Sequence, residues 1–281
     1  MTPSIALRLG RVSNLPTVWT NVTAGVVLAG GILSPLSTVL LVVAASALYV
    51  GGMFLNDAYD AHLDAVERPE RPIPSGAVTQ REVKVWGFAW LALGLVCVGL
   101  VDVAGLAATV GTCGLIVLYN RWHKGNPLGP LIMGLCRVGL YFIAAGVAGG
   151  INRSVLIGAV LLLGWVLGLT YVAKHEGKGS LARSWPLWAL VAPIAMSVPL
   201  VWKAGMLGRA IVGGLVMWLQ RSLRLVKRGG PKIREAVVSL IAGISLVDAA
   251  LILGAGQPAL AIACVGAFGA TLVLQRWVAG T

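Results

Sequence analysis

The sequence predicts an all-α, polytopic transmembrane helix bundle of nine to ten spans, and three observations carry that prediction. Hydrophobic residues make up 58% of the 281 residues and charged residues only 11%, whereas soluble domains carry about 25% charged residues. Mean hydropathy is +0.87. Apolar runs separated by short polar loops recur from one end of the chain to the other. So little charge cannot cover a water-soluble body of this size, and so much apolar length does not fit inside one core. A soluble globular enzyme is thereby excluded. The 37 glycines sit inside apolar runs rather than in linkers, as expected of helices in lipid, where small residues let backbones approach. Residues 1–281 read as a single domain.

Spanning takes about 20 apolar residues in a helix, and open strands are excluded because unpaired backbone groups cannot be left in hydrocarbon. Ten runs qualify, at roughly 15–33, 36–57, 84–101, 103–120, 128–149, 154–173, 185–202, 205–222, 235–254 and 258–278. The first and seventh are the shortest, and without one of them nine spans remain. The first run follows two arginines, as a signal peptide would, but Asn14, Pro16 and Asn21 interrupt it and further spans follow, so it is read as retained.

Orientation follows from where the bases fall. Arg8 and Arg11 precede the first span. The loops after spans 2, 4, 6 and 8 carry Arg68, Arg71, Arg81 and Lys84; Arg121 and Lys124; Lys174, Lys178 and Arg183; and six further bases between Arg221 and Arg234. The intervening loops hold only Arg153, Lys203 and Arg209. Both termini and the base-rich loops are therefore expected on the cytoplasmic side of the cell membrane. This dispersal also explains the net charge of +12 without a nucleic-acid partner, which would want one basic stripe with interleaved aromatics. The four cysteines lie in apolar segments with no C-x-x-C spacing and read as reduced packing residues.

The acids are concentrated. Six of the ten (Asp57, Asp60, Asp64, Glu67, Glu70, Glu82) lie between positions 57 and 82. At about 100° per residue, Asn56, Asp57, Asp60 and Asp64 share one helical face, which begins at the end of an apolar span where charge is costly and usually functional. Like charges at this spacing repel and need cations. An all-oxygen cluster without Cys or suitably spaced His suits a hard cation, and Mg²⁺ in particular takes one or two carboxylates, waters and substrate phosphates. In the following stretch, Arg68-Pro69-Glu70-Arg71-Pro72-Ile73-Pro74-Ser75-Gly76, three prolines predict an extended strap from which two arginines, natural phosphate ligands, project.

Asn56-Asp57-Ala58-Tyr59-Asp60-Ala61-His62-Leu63-Asp64 followed by Arg68-Pro69-Glu70-Arg71-Pro72-Ile73-Pro74-Ser75-Gly76 resembles the first motif of the UbiA superfamily of intramembrane prenyltransferases, N-D-x-x-D-x-x-x-D then R-P-x-R-P-[IL]-x-x-G. The general layout is similar over nearly the whole chain. The resemblance implies Mg²⁺-dependent transfer of a prenyl group from a polyprenyl diphosphate to an aromatic or other lipophilic acceptor in a cavity open to the bilayer. It further implies that Asp57, Asp60 and Asp64 hold Mg²⁺ and diphosphate with Asn56 assisting, and that Arg68 and Arg71 neutralise the leaving group. The family's second motif follows a Y-x-x-K and usually holds several aspartates. Here Tyr171 and Lys174 match, but Glu176 is the only acid in Tyr171-Val172-Ala173-Lys174-His175-Glu176-Gly177-Lys178-Gly179. One metal suffices, or Glu176 alone completes the metal set, or Lys174 replaces a metal on the diphosphate. The departure is similar to a divergent branch such as the members encoded in bacterial Ebo-type clusters.

Other residues join the candidate site. Arg137 lies well inside an apolar run, so it needs a partner or a watery cavity; an acid of the cluster, the diphosphate or an acidic acceptor would each serve. Asn14 and Asn21 share a face of span 1, as the family's asparagines do, although helix-to-helix hydrogen bonding explains them as well. Ionising an allylic C–O bond calls for a dry chamber with aromatic faces, for which Tyr119 and Tyr171 are the candidates. His62 points away from the acid face, and His123 and His175 are expected in loops. A transporter would place its acids near the bilayer midplane, whereas these stand at a span end. A non-catalytic relative with a decayed second motif is the competing reading.

Overall fold

The computed structural model describes residues 1–176, 184–202 and 204–280; the expected loop charges Lys178, Arg183 and Lys203 and the end of the second motif lie outside them. The described residues form helices and no strand. In chain order these are α1 Pro3–Leu9, α2 Leu15–Ala29, α3 Pro35–Glu67, α4 Gln80–Val101, α5 Leu106–Trp122, α6 Gly129–Ala148, α7 Arg153–Ala173, α8 Val191–Trp202, α9 Gly205–Arg228, α10 Lys232–Gly254 and α11 Pro258–Leu274. Local chemistry sets several boundaries. Ser34, Thr79 and Asn152 cap α3, α4 and α7 by accepting backbone N–H bonds, and α2 ends on Gly30 in the left-handed region.

Each expected span falls on one of these helices, but among the described residues six helical stretches are both long and apolar enough to cross a bilayer: α3, α4, Val103–Trp122, α6, α7 and α10. α2 has 15 residues and α11 has 17. The seventh run opens with a 3₁₀ turn, Trp185–Leu190, before α8. α9 is two-sided: Ile211, Leu215, Leu219 and Ser222 are buried, while Arg209, Gln220, Arg221 and Arg224 are exposed.

Two large apolar clusters build most of the core, beside a smaller one of Leu9, Val50, Phe54, Ala58, Val78 and Val83. Of the large two, one joins buried side chains of α2, α3, α4, α5 and α6; the other is formed mainly by α7, α8, α9 and α10. α10 is the buried axis of the second, with every residue from Ala242 to Leu253 buried. Close approach depends on glycine: a Cβ on Gly25 of α2 would sit 2.7 Å from the Ala144 Cβ of α6, and one on Gly51 of α3 would sit 2.8 Å from the Gly87 carbonyl of α4.

As the shared face of the acids requires, α3 continues past the apolar span that ends near residue 57 and runs unbroken to Glu67; at 1.5 Å per residue it is about 50 Å long, against a hydrocarbon layer of about 30 Å. The whole acid motif is therefore helical and stands on the overhang. The proline stretch is not an extended strap: it folds into consecutive turns, with Arg71 N bonded to Arg68 O at 3.0 Å, Ser75 N to Arg71 O at 3.0 Å and Val78 N to Pro72 O at 3.3 Å. Proline favours the second position of such turns as readily as an extended backbone, and the turns bring Arg71 back onto α3.

Candidate active site

The acid face forms as the helical period requires. Asp57, Asp60 and Asp64 are 6%, 7% and 4% exposed, and each carboxylate meets cations. Arg71 donates to Asp64 at 2.7 Å and lies 3.4 Å from Asp57, while Arg11 donates to Asp57 at 2.9 Å. Asp60 has Lys124 at 3.3 Å and the His123 ring at 3.6 Å. Glu176 lies 3.6 Å from Arg68 and 3.7 Å from Arg234. Asn56 donates to Asn120 at 3.2 Å and lies 3.5 Å from Arg11. The overhang thus places Asp57, Asp60 and Asp64 against bases from three other segments.

Arg11 was expected only as a topology-setting base. Its backbone adopts φ 42°, the only positive φ at a non-glycine among the described residues, a conformation that costs energy and persists where the surroundings require it. Here it delivers the guanidinium to Met53, Asn56 and Asp57. Burial works against the Arg11 charge, but Asp57 and its neighbours outweigh it and hold the guanidinium pKa above its ordinary value. His123 follows α5 in the basic loop, as expected, but it is buried. It is 9% exposed, is bonded to the Tyr119 carbonyl, and stacks on the Tyr119 ring with centroids 4.5 Å apart.

These groups open onto a cavity of about 1060 Å³. Asp60, Asp64, Arg68, Arg71, Lys174 and Glu176 line its mouth, together with Arg11, His123 and Lys124. Deeper in, the wall is Tyr49, Met53, Tyr119, Met133 and Arg137, with Val166 and Leu169 of α7 and Val237, Ile241 and Ile244 of α10. Beside Tyr49 and Tyr119 lies a smaller apolar recess of about 60 Å³, lined in part by Leu48, Ile116 and Leu140. The cavity runs along the seam between the two large apolar clusters, charged at one end and apolar at the other.

Most of the predicted site residues meet there. Asn56, Asp60, Asp64, Arg68, Arg71, Tyr119, Arg137, Lys174, Glu176 and Asn14 all line the cavity. Asp57 faces a neighbouring recess that it shares with Arg8, Arg11, Arg71 and Arg234. Lys174 donates to the Asn126 carbonyl at 2.6 Å, tying the end of α7 to the α5–α6 loop. Tyr171 stands outside the lining, its ring 4.7 Å from that of His175, and the second aromatic face of the cavity is Tyr49. Arg137 does not reach the acid cluster. It donates to Asn21 at 2.8 Å and to Thr17 at 3.0 Å and lies over the Tyr49 ring at 5.3 Å. Asn14 and Asn21 are both buried: Asn14 donates to Tyr49 and the Gly280 carbonyl, and Asn21 donates to Asp248 at 2.8 Å. Sequence reasoning passed over Asp248, although a lone acid inside the apolar run 235–254 is a signal in its own right.

Among the described residues no three His, Cys, Asp or Glu side chains gather into one metal set. A cage made wholly of protein ligands, as Ca²⁺ prefers, is not what these residues offer. They do fit Mg²⁺ held through one or two carboxylates and completed by phosphate oxygens and water: Asp60 and Asp64 both face the cavity, are hard oxygen donors, and have room beside them for a phosphate.

The UbiA prenyltransferase family model matches residues 17–281. The chain belongs to the UbiA prenyltransferase family. The digeranylgeranylglyceryl phosphate synthase of Methanothrix thermoacetophila is 34% identical over 125 residues, which are 44% of this chain and 47% of that protein. The chain spans about half the length of the curated relatives it matches. Two solved structures share its fold. A UbiA homologue from Aeropyrum pernix K1 superposes with a TM-score of 0.69 at 17% identity, covering 86% of this chain and 97% of that one. One from Archaeoglobus fulgidus, bound to GPP and Mg²⁺, gives 0.56 at 15% identity, covering 97% and 99%.

Proposed function

We propose that the protein transfers a prenyl group, within the membrane and with Mg²⁺, from a polyprenyl diphosphate to a lipophilic acceptor. The observation that carries this reading is a single cavity joining a cation-balanced carboxylate face to an apolar, tyrosine-walled interior. A prenyl diphosphate has those two ends. The GPP and Mg²⁺ of the Archaeoglobus fulgidus homologue support the donor class. The relatives' name adds an acceptor class, a prenylated glycerophosphate, which makes geranylgeranyl diphosphate and geranylgeranylglyceryl phosphate the first pair to try.

In this reading Asp60 and Asp64, with Asp57 and Glu176 beside them, would hold Mg²⁺, which would supply positive charge to the diphosphate oxygens. Arg71, Arg68, Arg11, Lys124 and Lys174 receive the diphosphate with fixed donors, the kind of preorganised charge that is usually the largest catalytic term. As the allylic C–O bond breaks, its electron pair leaves with diphosphate, and the developing cation faces Tyr119 and Tyr49 in a wall that excludes water. The acceptor nucleophile closes on the allylic carbon and gives up one proton. Tyr49 precedes Asp60 by about 16 Å along α3, so Arg137, which lies over Tyr49, is too deep for a diphosphate at the mouth and addresses the acceptor. The base-lined mouth is assigned to the cytoplasmic side, with the shorter helices completing nine or ten spans.

Membranes containing the protein, given labelled geranylgeranyl diphosphate and Mg²⁺, should release diphosphate and form a prenylated lipid. Asp60→Ala and Asp64→Ala should abolish both. Ion or solute flux in liposomes that survives those changes, with no diphosphate formed, would replace the enzyme reading with a transporter.

A further inference from the structure

Asp248 is a buried carboxyl with no part in the chemistry above. It lies in α10 where every neighbour in sequence is buried, and its own exposure is 0%. Tyr141 of α6 donates its hydroxyl to one oxygen at 2.5 Å, and the Asn21 Nδ2 of α2 donates to the other at 2.8 Å. Both oxygens accept, as those of an ionised carboxylate do. The opposite end of the same Asn21 amide, Oδ1, accepts from Arg137 Nη1 at 2.8 Å. Asn21 is 0% exposed, so the amide is held in a closed sequence: guanidinium to amide oxygen, amide nitrogen to carboxylate.

The charges explain why this sequence exists. A guanidinium inside an apolar bundle needs an anion, and stranding either charge alone is expensive. Among the described residues Arg137 forms no direct ion pair; its contacts are Asn21, Thr17 and the Tyr49 ring. Asp248 is the acid reached through one intervening amide. An amide turns an acceptor toward the cation and a donor toward the anion from two separate atoms, a span that the single oxygen of a hydroxyl lacks. Arg137 lines the cavity, whereas Asn21, Tyr141 and Asp248 stand behind it. We propose that Asp248 is a positioning residue: through Asn21 it fixes and charge-balances the Arg137 guanidinium at the inner wall of the cavity. Tyr141 in turn fixes the carboxylate. The geometry stands by itself, and only the purpose of Arg137, holding the acceptor, rests on the transferase reading.

The test is a cycle of Arg137→Met, Asp248→Asn and the double variant, made in the full chain in nanodiscs with geranylgeranyl diphosphate, Mg²⁺ and geranylgeranylglyceryl phosphate. Asp248→Asn should raise the acceptor KM at least tenfold while kcat and the donor KM stay within twofold. The double variant should be no worse than Arg137→Met, and Asp248→Glu should recover part of the loss. Additive losses, or an acceptor KM within twofold of wild type, would overturn the proposal. A second measurement needs no turnover: modification of Arg137 by 2,3-butanedione, read by peptide mass spectrometry. It should be at least threefold faster in Asp248→Asn and in Asn21→Ser, with Arg11 modified at the wild-type rate; equal rates at Arg137 would sink the proposal. A wild type without turnover would defeat the transferase reading alone, and the modification rates would still decide whether Asp248 positions Arg137. Asn21→Ser serves the same purpose if Asp248→Asn does not fold.

Discussion

Arg71→Ala tests the charge balance of the mouth most directly. Arg71 lies 2.7 Å from Asp64 and 3.4 Å from Asp57, and none of the three side chains is more than 16% exposed. Its loss leaves Asp57 with Arg11 at 2.9 Å but strands Asp64, which has no other cation among its described ion pairs. A hydrogen bond to a charged group contributes about 1.5–3 kcal/mol, and stranding one member of a buried pair costs about 3–5 kcal/mol. Asp64 also faces a cavity that admits water, so the expected loss is about 2–3 kcal/mol, within the first range and no more than the bottom of the second. Asp64→Asn in the same chain removes the stranded charge. The double variant should therefore be at least about 1 kcal/mol more stable than the two single losses predict, well beyond the additivity error of distant sites. The ten tryptophans provide the assay, as intrinsic fluorescence followed through unfolding of the purified protein in micelles. Losses that add to within about 0.5 kcal/mol would show that the pair has no energetic coupling and would refute the reasoning.

Three further outcomes are expected. Chelating divalent ions with EDTA should stop diphosphate release, and Mg²⁺ should restore it, since the carboxylates at the mouth need phosphate oxygens and a hard cation together. Tyr119→Leu should slow turnover about 2- to 30-fold, the equivalent of about 0.5–2 kcal/mol of cation–π attraction, while Tyr119→Phe should keep most of the rate; equal rates for both variants would remove the ring from the mechanism. Gly25→Leu should lower the yield of folded protein and its unfolding midpoint, because even a Cβ at that position comes within 2.7 Å of Ala144, and overpacking a filled core costs about 1–3 kcal/mol or more.

How much of this was legible in the sequence depended on the range of the interaction. α3, α6, α7 and α10 were readable because a spanning helix announces itself by uninterrupted apolar length, and the acid face was readable because i, i+3 and i+7 depend on nothing beyond helical period. α9 was misleading, since its apolar residues recur at helical spacing while the arginines between them stay exposed. The pairing of Arg11 with Asp57 joins positions 46 apart through a left-handed backbone at residue 11, and no local pattern encodes that. His123 looked like a loop base because its neighbours are basic, yet the end of α5 carries it back over Tyr119 and Asp60. Asp248 was available: the question of what balances Arg137 has few answers in the apolar runs, and Asp248 is one of them.

The pairing at the mouth also bears on how a diphosphate would be received. Asp57 has Arg11 and Arg71, Asp60 has Lys124 and His123, Asp64 has Arg71, and Glu176 has Arg68 and Arg234. With these four acids already matched and Glu67 exposed, the cavity carries no buried, stranded carboxylate, which would be costly this close to lipid. Yet the mouth of the described lining holds five arginine and lysine side chains, Arg11, Arg68, Arg71, Lys124 and Lys174, against four carboxylates, Asp60, Asp64, Glu67 and Glu176. The surplus is positive and lies in the walls the diphosphate would meet. The arginines that hold the acids at rest are therefore those that can turn to phosphate oxygens, and each carboxylate they release becomes a free oxygen donor beside the same phosphates. Binding would exchange partners among charges already desolvated rather than bury new ones. On this account the loss from Arg71→Ala should be larger for donor binding than for stability, because one side chain serves both states.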